Sequence, residues 1–160
     1  MPVFNDYYLW NSVANPVETA TAAAHLVMAG VLERHPRLKI LLAHGGGALW
    51  AVRGRLRRAH EQVPAARSRL AESPDASLAR FYHDMVTHDP VLLRRLIEDA
   101  GPGHVLLGSD RPFDMGSDDP VGEIRALALP AGTETAVLGG NAGRLLGWPA
   151  GDGQPAGSGH

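Results

Sequence analysis

The sequence contains no cysteine, which excludes disulfides, thiolate metal sites and a cysteine nucleophile. It has no apolar run approaching the roughly 20 residues that span a bilayer. Met1 to Trp10 mixes polar and aromatic side chains, without the basic start and apolar core of a secretory leader. Charge of either sign is not in excess. The formal net charge of -2 gives no electrostatic reason to expect nucleic acid or an anionic membrane as partner. Arginine does cluster between Arg53 and Arg69, but on a segment expected to be helical, where it reads as a solvated face. Signature loops are missing as well. There is no Gly-x-Ser-x-Gly nucleophile elbow, no Gly-x-Gly-x-x-Gly, no P-loop and no His-Glu-x-x-His. These absences argue against serine esterase, dinucleotide, nucleotide and zinc-protease chemistry. The lack of cysteine suits a cytoplasmic protein.

What is present fits one α/β domain over residues 1–148, followed by a Gly/Pro/Ala-rich tail at 149–160 that is expected to be disordered. Three short aliphatic runs read as buried strands: Leu38 to Ala43, Phe81 to Val86 and His104 to Leu107. The first and third are nearly continuous in apolar residues, a pattern of parallel strands covered on both faces. Asn15-Pro16, Asp89-Pro90 and Asp119-Pro120 each combine a capping side chain with a proline that tolerates the first helical turn. They predict helices starting there, the first running to about Glu33. Further helices are expected from Ala48 to Val63 and from about Asn141, with a loop or helix between Ser68 and Ser77. Alternation of helix and strand implies right-handed crossovers and a parallel sheet. Three strands suit either a small open α/β domain or the end of a (β/α)₈ barrel, which needs about 250 residues.

Two strand ends carry chemistry. His44 closes the first run and is followed by Gly45-Gly46-Gly47. An imidazole at the C-terminal tip of a parallel strand points to where such folds bind ligands, and it can act as base, acid or metal ligand. A histidine hydrogen-bonded to backbone, with glycines serving the turn, is the plainer alternative. Asp110 closes the third run in Gly108-Ser109-Asp110-Arg111-Pro112. A carboxylate there can bind a cation, or it can serve as a helix cap or a partner for Arg111. The expectation is that His44 and Asp110 face one cavity from the tips of neighbouring strands.

Several runs resemble the amidohydrolase-related metal-dependent family, in the branch of the aminocarboxymuconate-semialdehyde decarboxylases. They are Tyr7-Tyr8-Leu9, Asn15 to Thr19, Gly30 to Ile40, Ala43 to Gly47, Gly54-Arg55, Phe81 to Asp84, His88-Asp89-Pro90, Val105 to Phe113 and Gly140-Asn141-Ala142. The resemblance spans residues 7–147. It implies that the chain is the C-terminal portion, about strands 6–8 with flanking helices, of a TIM-type (β/α)₈ barrel with parallel strands. It implies that His44 activates water or shuttles protons, that Asp110 is a metal ligand and catalytic, and that Arg55 holds a substrate carboxylate in a neighbouring subunit's site. Tyr82 and Asp84 would be supporting positions. The cofactor implied is a divalent metal, zinc or manganese; the partners are a small carboxylic-acid substrate and, in the full-length family, a second subunit.

The departures are equally specific. The family's His-x-His of the first strand and the histidine of the fifth are absent, and Arg111 stands where tyrosine is common. His25, His35 and His60 fall on helices or helix ends, whereas His83 and His88 lie nearer the active rim. A zinc site needs about three protein ligands, so the isolated chain is expected to be inactive and prone to self-association. The reading is therefore a fragment of a decarboxylase acting on an unsaturated or aromatic acid. A hydrolase of the same superfamily, a partner-completed enzyme, a non-catalytic remnant and a truncated gene model are the alternatives.

Overall fold

The apolar runs form a small parallel sheet. In the computed structural model, which describes residues 4–148, three strands sit inside the three predicted runs: β1 Leu41–Leu42, β2 Tyr82–Asp84 and β3 Val105–Leu106. Their order is β1-β2-β3, with Leu41 opposite Tyr82, Leu42 opposite His83, and His83 opposite Val105. Strand alternation then sets two faces. Leu42, Phe81, His83, Met85 and Val105 turn to the buried side, and all five are under 7% exposed. On the other face Leu41 is 50% exposed. The continuous apolar pattern suggested cover on both faces; on this second face Leu106, opposite Asp84, is 6% exposed, so cover there is partial rather than absent. The expected tail at 149–160 lies outside the described residues.

The helices are α1 Asn15–Met28, α2 Val31–Arg34, α3 Leu49–Gln62, α4 Pro74–Leu78, α5 Pro90–Ala100, α6 Pro120–Ala126, α7 Ala131–Thr135 and α8 Asn141–Leu146. Two apolar clusters join them to the sheet. One gathers Ala20, Ala23 and Val27 of α1 with Leu42, Leu49, Leu78 and Phe81. The other gathers Met85, Val105, Ile124 and Val137 with Leu93, Leu96 and Ile97 of α5. The five α5 and strand side chains among these alone would contribute roughly 1.5–3 kcal/mol each by burial.

The cap readings hold at two of three places. The Asp89 carboxylate accepts from the Val91 and Leu92 amides at 2.7 and 2.9 Å, and that of Asp119 from the Gly122 amide at 2.8 Å. Asn15 is not a cap. A wide π turn, Trp10–Ala14, runs straight into α1, and Asn15 itself is helical with φ -57°. That wider turn relieves the clash a proline ring makes with the preceding carbonyl, so Pro16 continues a helix already begun. The expected single helix to Glu33 is broken at Gly30, whose φ of 66° ends α1 and starts α2. A Cβ there would lie 2.2 Å from the Arg69 carbonyl oxygen, so only glycine fits.

The segment Ala131–Gly140 was not foreseen as helical. Its second half is another π turn, and the Val137 carbonyl accepts from the Leu107 amide at 3.0 Å, extending β3. Asn141 follows, 1% exposed, donating from Nδ2 to the carbonyls of Pro102 and Val105 at 2.8 and 2.6 Å. The C-terminal helices are thereby tied to the strand that carries Asp110.

Candidate active site

The loops after the three strands converge on one cavity of about 440 Å³. His44 comes from the loop after β1, His88 from that after β2 and Asp110 from that after β3; all three line it. Trp50, Leu92, Leu96 and Met115 supply apolar wall. The sheet order places β2 between the strands bearing His44 and Asp110, so those strands are one apart rather than neighbours. The shared cavity expected from the sequence is nonetheless there.

His44 is held from two sides. Its φ is 57°, a left-handed conformation that histidine adopts at a modest energetic cost. The Asp84 carboxylate fixes that turn, accepting from the amides of His44 at 3.1 Å, Gly45 at 2.7 Å and Val86 at 3.0 Å. Burial pushes the Asp84 carboxyl above its ordinary range, against the opposing pull of these three amides. The His44 ring is oriented by α1, where Thr19 Oγ1 lies 3.0 Å from Nδ1. Gly47 then lets α1 approach: a Cβ there would lie 2.0 Å from the Pro16 carbonyl oxygen. Helix α1, the glycine run and β2 together aim one imidazole.

Asp110 is half-buried with φ 57°. It neither caps a helix nor pairs with Arg111, because the Arg111 guanidinium turns away to Asp118 and the Ser117 carbonyl. Arg55 lies exposed on α3 and does not line the cavity. The other arginines of that stretch are exposed or engaged with acids such as Asp75 and Glu61, as a solvated face requires.

The remaining histidines separate clearly. His25 and His35 are exposed, and the His60 ring meets the Leu70 carbonyl at 2.9 Å. His83, expected near the active rim, instead points to the buried side of β2. Its ring lies 5.5 Å from that of Trp50, and among the described residues neither ring nitrogen has a hydrogen-bond partner. Burial pushes its pKa down to about 4. The sequence reading missed the alternation that decides this: Tyr82 and Asp84 share one face, so His83 must take the other. His88, expected near the active rim, does line the cavity, from the loop after the middle strand.

A divalent metal does not fit these residues as a complete site. No group of three or more histidine, aspartate or glutamate side chains among the described residues could hold an ion, whereas zinc needs about three protein ligands. No described helix is long and apolar enough to cross a membrane.

Comparison with known proteins supplies the family. The chain is 32% identical over 143 residues to the 2-amino-3-carboxymuconate-6-semialdehyde decarboxylase of Dictyostelium discoideum, covering 88% of this chain and 40% of that protein. It is 35% identical over 113 residues to the enzyme of that name from Caenorhabditis elegans, covering 69% of this chain and 28% of the relative. The solved 5-carboxyvanillate decarboxylase LigW of Sphingomonas paucimobilis superposes with a TM-score of 0.76 at 31% identity, over 90% of this chain and 44% of LigW. The chain thus spans less than half the length of these relatives. The family model for amidohydrolases matches residues 7–148, and on that match the chain belongs to the amidohydrolase family.

Proposed function

We propose that this chain forms the C-terminal three-stranded portion, about strands 6–8, of a (β/α)₈ metal-dependent decarboxylase acting on a small aromatic or unsaturated carboxylic acid. The observation that carries this reading is the convergence of His44 and Asp110 on one cavity at the C-terminal tips of parallel strands. Active sites of such barrels sit on that face. The named relatives, all decarboxylases, support the reaction class over hydrolysis. The half-exposed sheet face supports completion by further strands, since Leu41 there is 50% exposed.

In decarboxylation the bond from carbon to carboxylate breaks. Its electron pair stays on carbon, a proton takes the vacated place and carbon dioxide leaves. His44, held at Nδ1 by Thr19, is the proposed proton source through its other ring nitrogen. Asp110 is the proposed ligand this chain contributes to a zinc or manganese ion, whose other ligands lie outside this sequence. Arg55, exposed on α3, is free to reach a neighbouring subunit and hold a carboxylate there.

The purified chain should carry well under one equivalent of metal by elemental analysis and release no carbon dioxide from aromatic acids. Supplied with the first five strands of a family member, it should retain metal and release carbon dioxide. Asp110→Asn should abolish both and His44→Asn the release alone. One tight equivalent of metal in the isolated chain, or release indifferent to Asp110→Asn, would overturn the reading.

A further inference from the structure

Among the described residues, six that are not glycine have positive φ: Tyr7, Tyr8, His44, His88, Asp110 and Ala128. Three of the six line the cavity, one from the loop after each strand. Such conformations cost free energy for any residue with a Cβ, and they persist where the surroundings dictate where a side chain must point. His44 and Asp110 account for two. His88, with φ 55°, is the third, and it plays no part in packing: it is exposed at the cavity mouth, just ahead of the Asp89 cap.

Of the cavity's other basic groups, Arg95 is paired with acids and His44 has the proton-transfer role proposed above. The Arg95 guanidinium pairs with Asp99 at 2.9 Å and with Glu98 at 3.6 Å, and the His44 ring is held by Thr19. Arg55 lies outside the lining. An acid entering this space meets the Asp110 carboxylate and a largely apolar wall. The imidazole of His88 is the group placed to donate a hydrogen bond to the incoming carboxylate.

Resting on the function proposed above, we propose that His88 is a substrate-binding residue that receives the acid group of an aromatic carboxylate in the cavity. The ring adds affinity for the acid and nothing to folding, so removing it should relax the backbone while weakening the ligand.

The test uses the 160-residue chain with 2,6-dihydroxybenzoate and its carboxyl-free counterpart resorcinol, titrated by calorimetry and by NMR. His88→Gly should weaken 2,6-dihydroxybenzoate at least tenfold, leave resorcinol unchanged, and hold or raise the midpoint of thermal unfolding, because glycine accepts positive φ without strain. His88→Asn, which tolerates the same backbone and keeps a donor, should retain part of the affinity. Equal weakening of both ligands, no weakening, or a fall of several degrees in the midpoint would each overturn the proposal. If the unaltered chain binds neither compound, the decarboxylase reading of the cavity fails together with this one. If it binds and His88→Gly binds equally, only the role of His88 fails.

Discussion

His83 is a neutral imidazole enclosed among Trp50, the glycine loop and the sheet, and its titration should mark the stability of the fold. Its pKa of about 4 when folded lies below the ordinary 6.5, so the unfolded chain binds the proton more readily. Its contribution is therefore complete above pH 6.5 and is lost as pH falls from there to about 4. The total is on the order of 3 kcal/mol. Asp84, whose carboxyl is pushed up by burial, acts in the opposite sense near the acidic end. The difference between variant and parent therefore isolates the histidine. His83→Leu should flatten the stability profile between pH 4 and 6.5 in urea unfolding; an unchanged slope would show that the ring is not buried neutral. Asp84 supports a second prediction. Asp84→Ala leaves the amides of His44, Gly45 and Val86 unpaired and should lower stability by about 3 kcal/mol, at roughly 1 kcal/mol or more per orphaned group. Loss below 1 kcal/mol would mean the loop holds its turn without that carboxylate.

At the scale of elements, the Asx-Pro signal was legible wherever the chain before it is extended. Asp89, with φ -143°, caps α5, and Asp89→Ala should cost about 1 kcal/mol in chemical denaturation, since two amide hydrogen bonds vanish. The same signal misled at Asn15 because the π turn before it is already helical, and a π turn leaves no mark in periodicity. The strands were legible from their apolar runs, but not their faces: a run apolar on both sides does not say which side the helices take. His83 was misplaced for that reason. The helix from Ala131 was hidden by its glycines, Gly132, Gly139 and Gly140, which lower helix propensity while tertiary contact with β3 restores the structure. That His44 and Asp110 would line one cavity was legible because His44 directly follows an apolar run and Asp110 follows another by way of Gly108-Ser109, whereas His88 sits beyond a less regular strand end.

Across the whole molecule, the packing is uneven. Helices cover the face of Leu42, His83 and Val105, whereas the other face is buried at Leu106 on β3 but 50% exposed at Leu41 on β1. A sheet face exposed at β1 and two short edge strands invite pairing with other polypeptides. Light scattering should show association that grows with concentration and falls when Leu41→Lys is introduced. A sharp monomer at all concentrations would show that the described residues satisfy their own sheet.

The account turns on His44 and Asp110 serving one ligand from two strands. The decisive measurement is two-dimensional ¹H–¹⁵N NMR of the chain during addition of 2,6-dihydroxybenzoate. The predicted result is saturable shifts of the amides at His44, Gly45, Gly47, Thr87 and Asp110 with one common dissociation constant, while those around Arg55 stay still. Shifts confined to one of the two loops, or two unrelated dissociation constants for them, would contradict it.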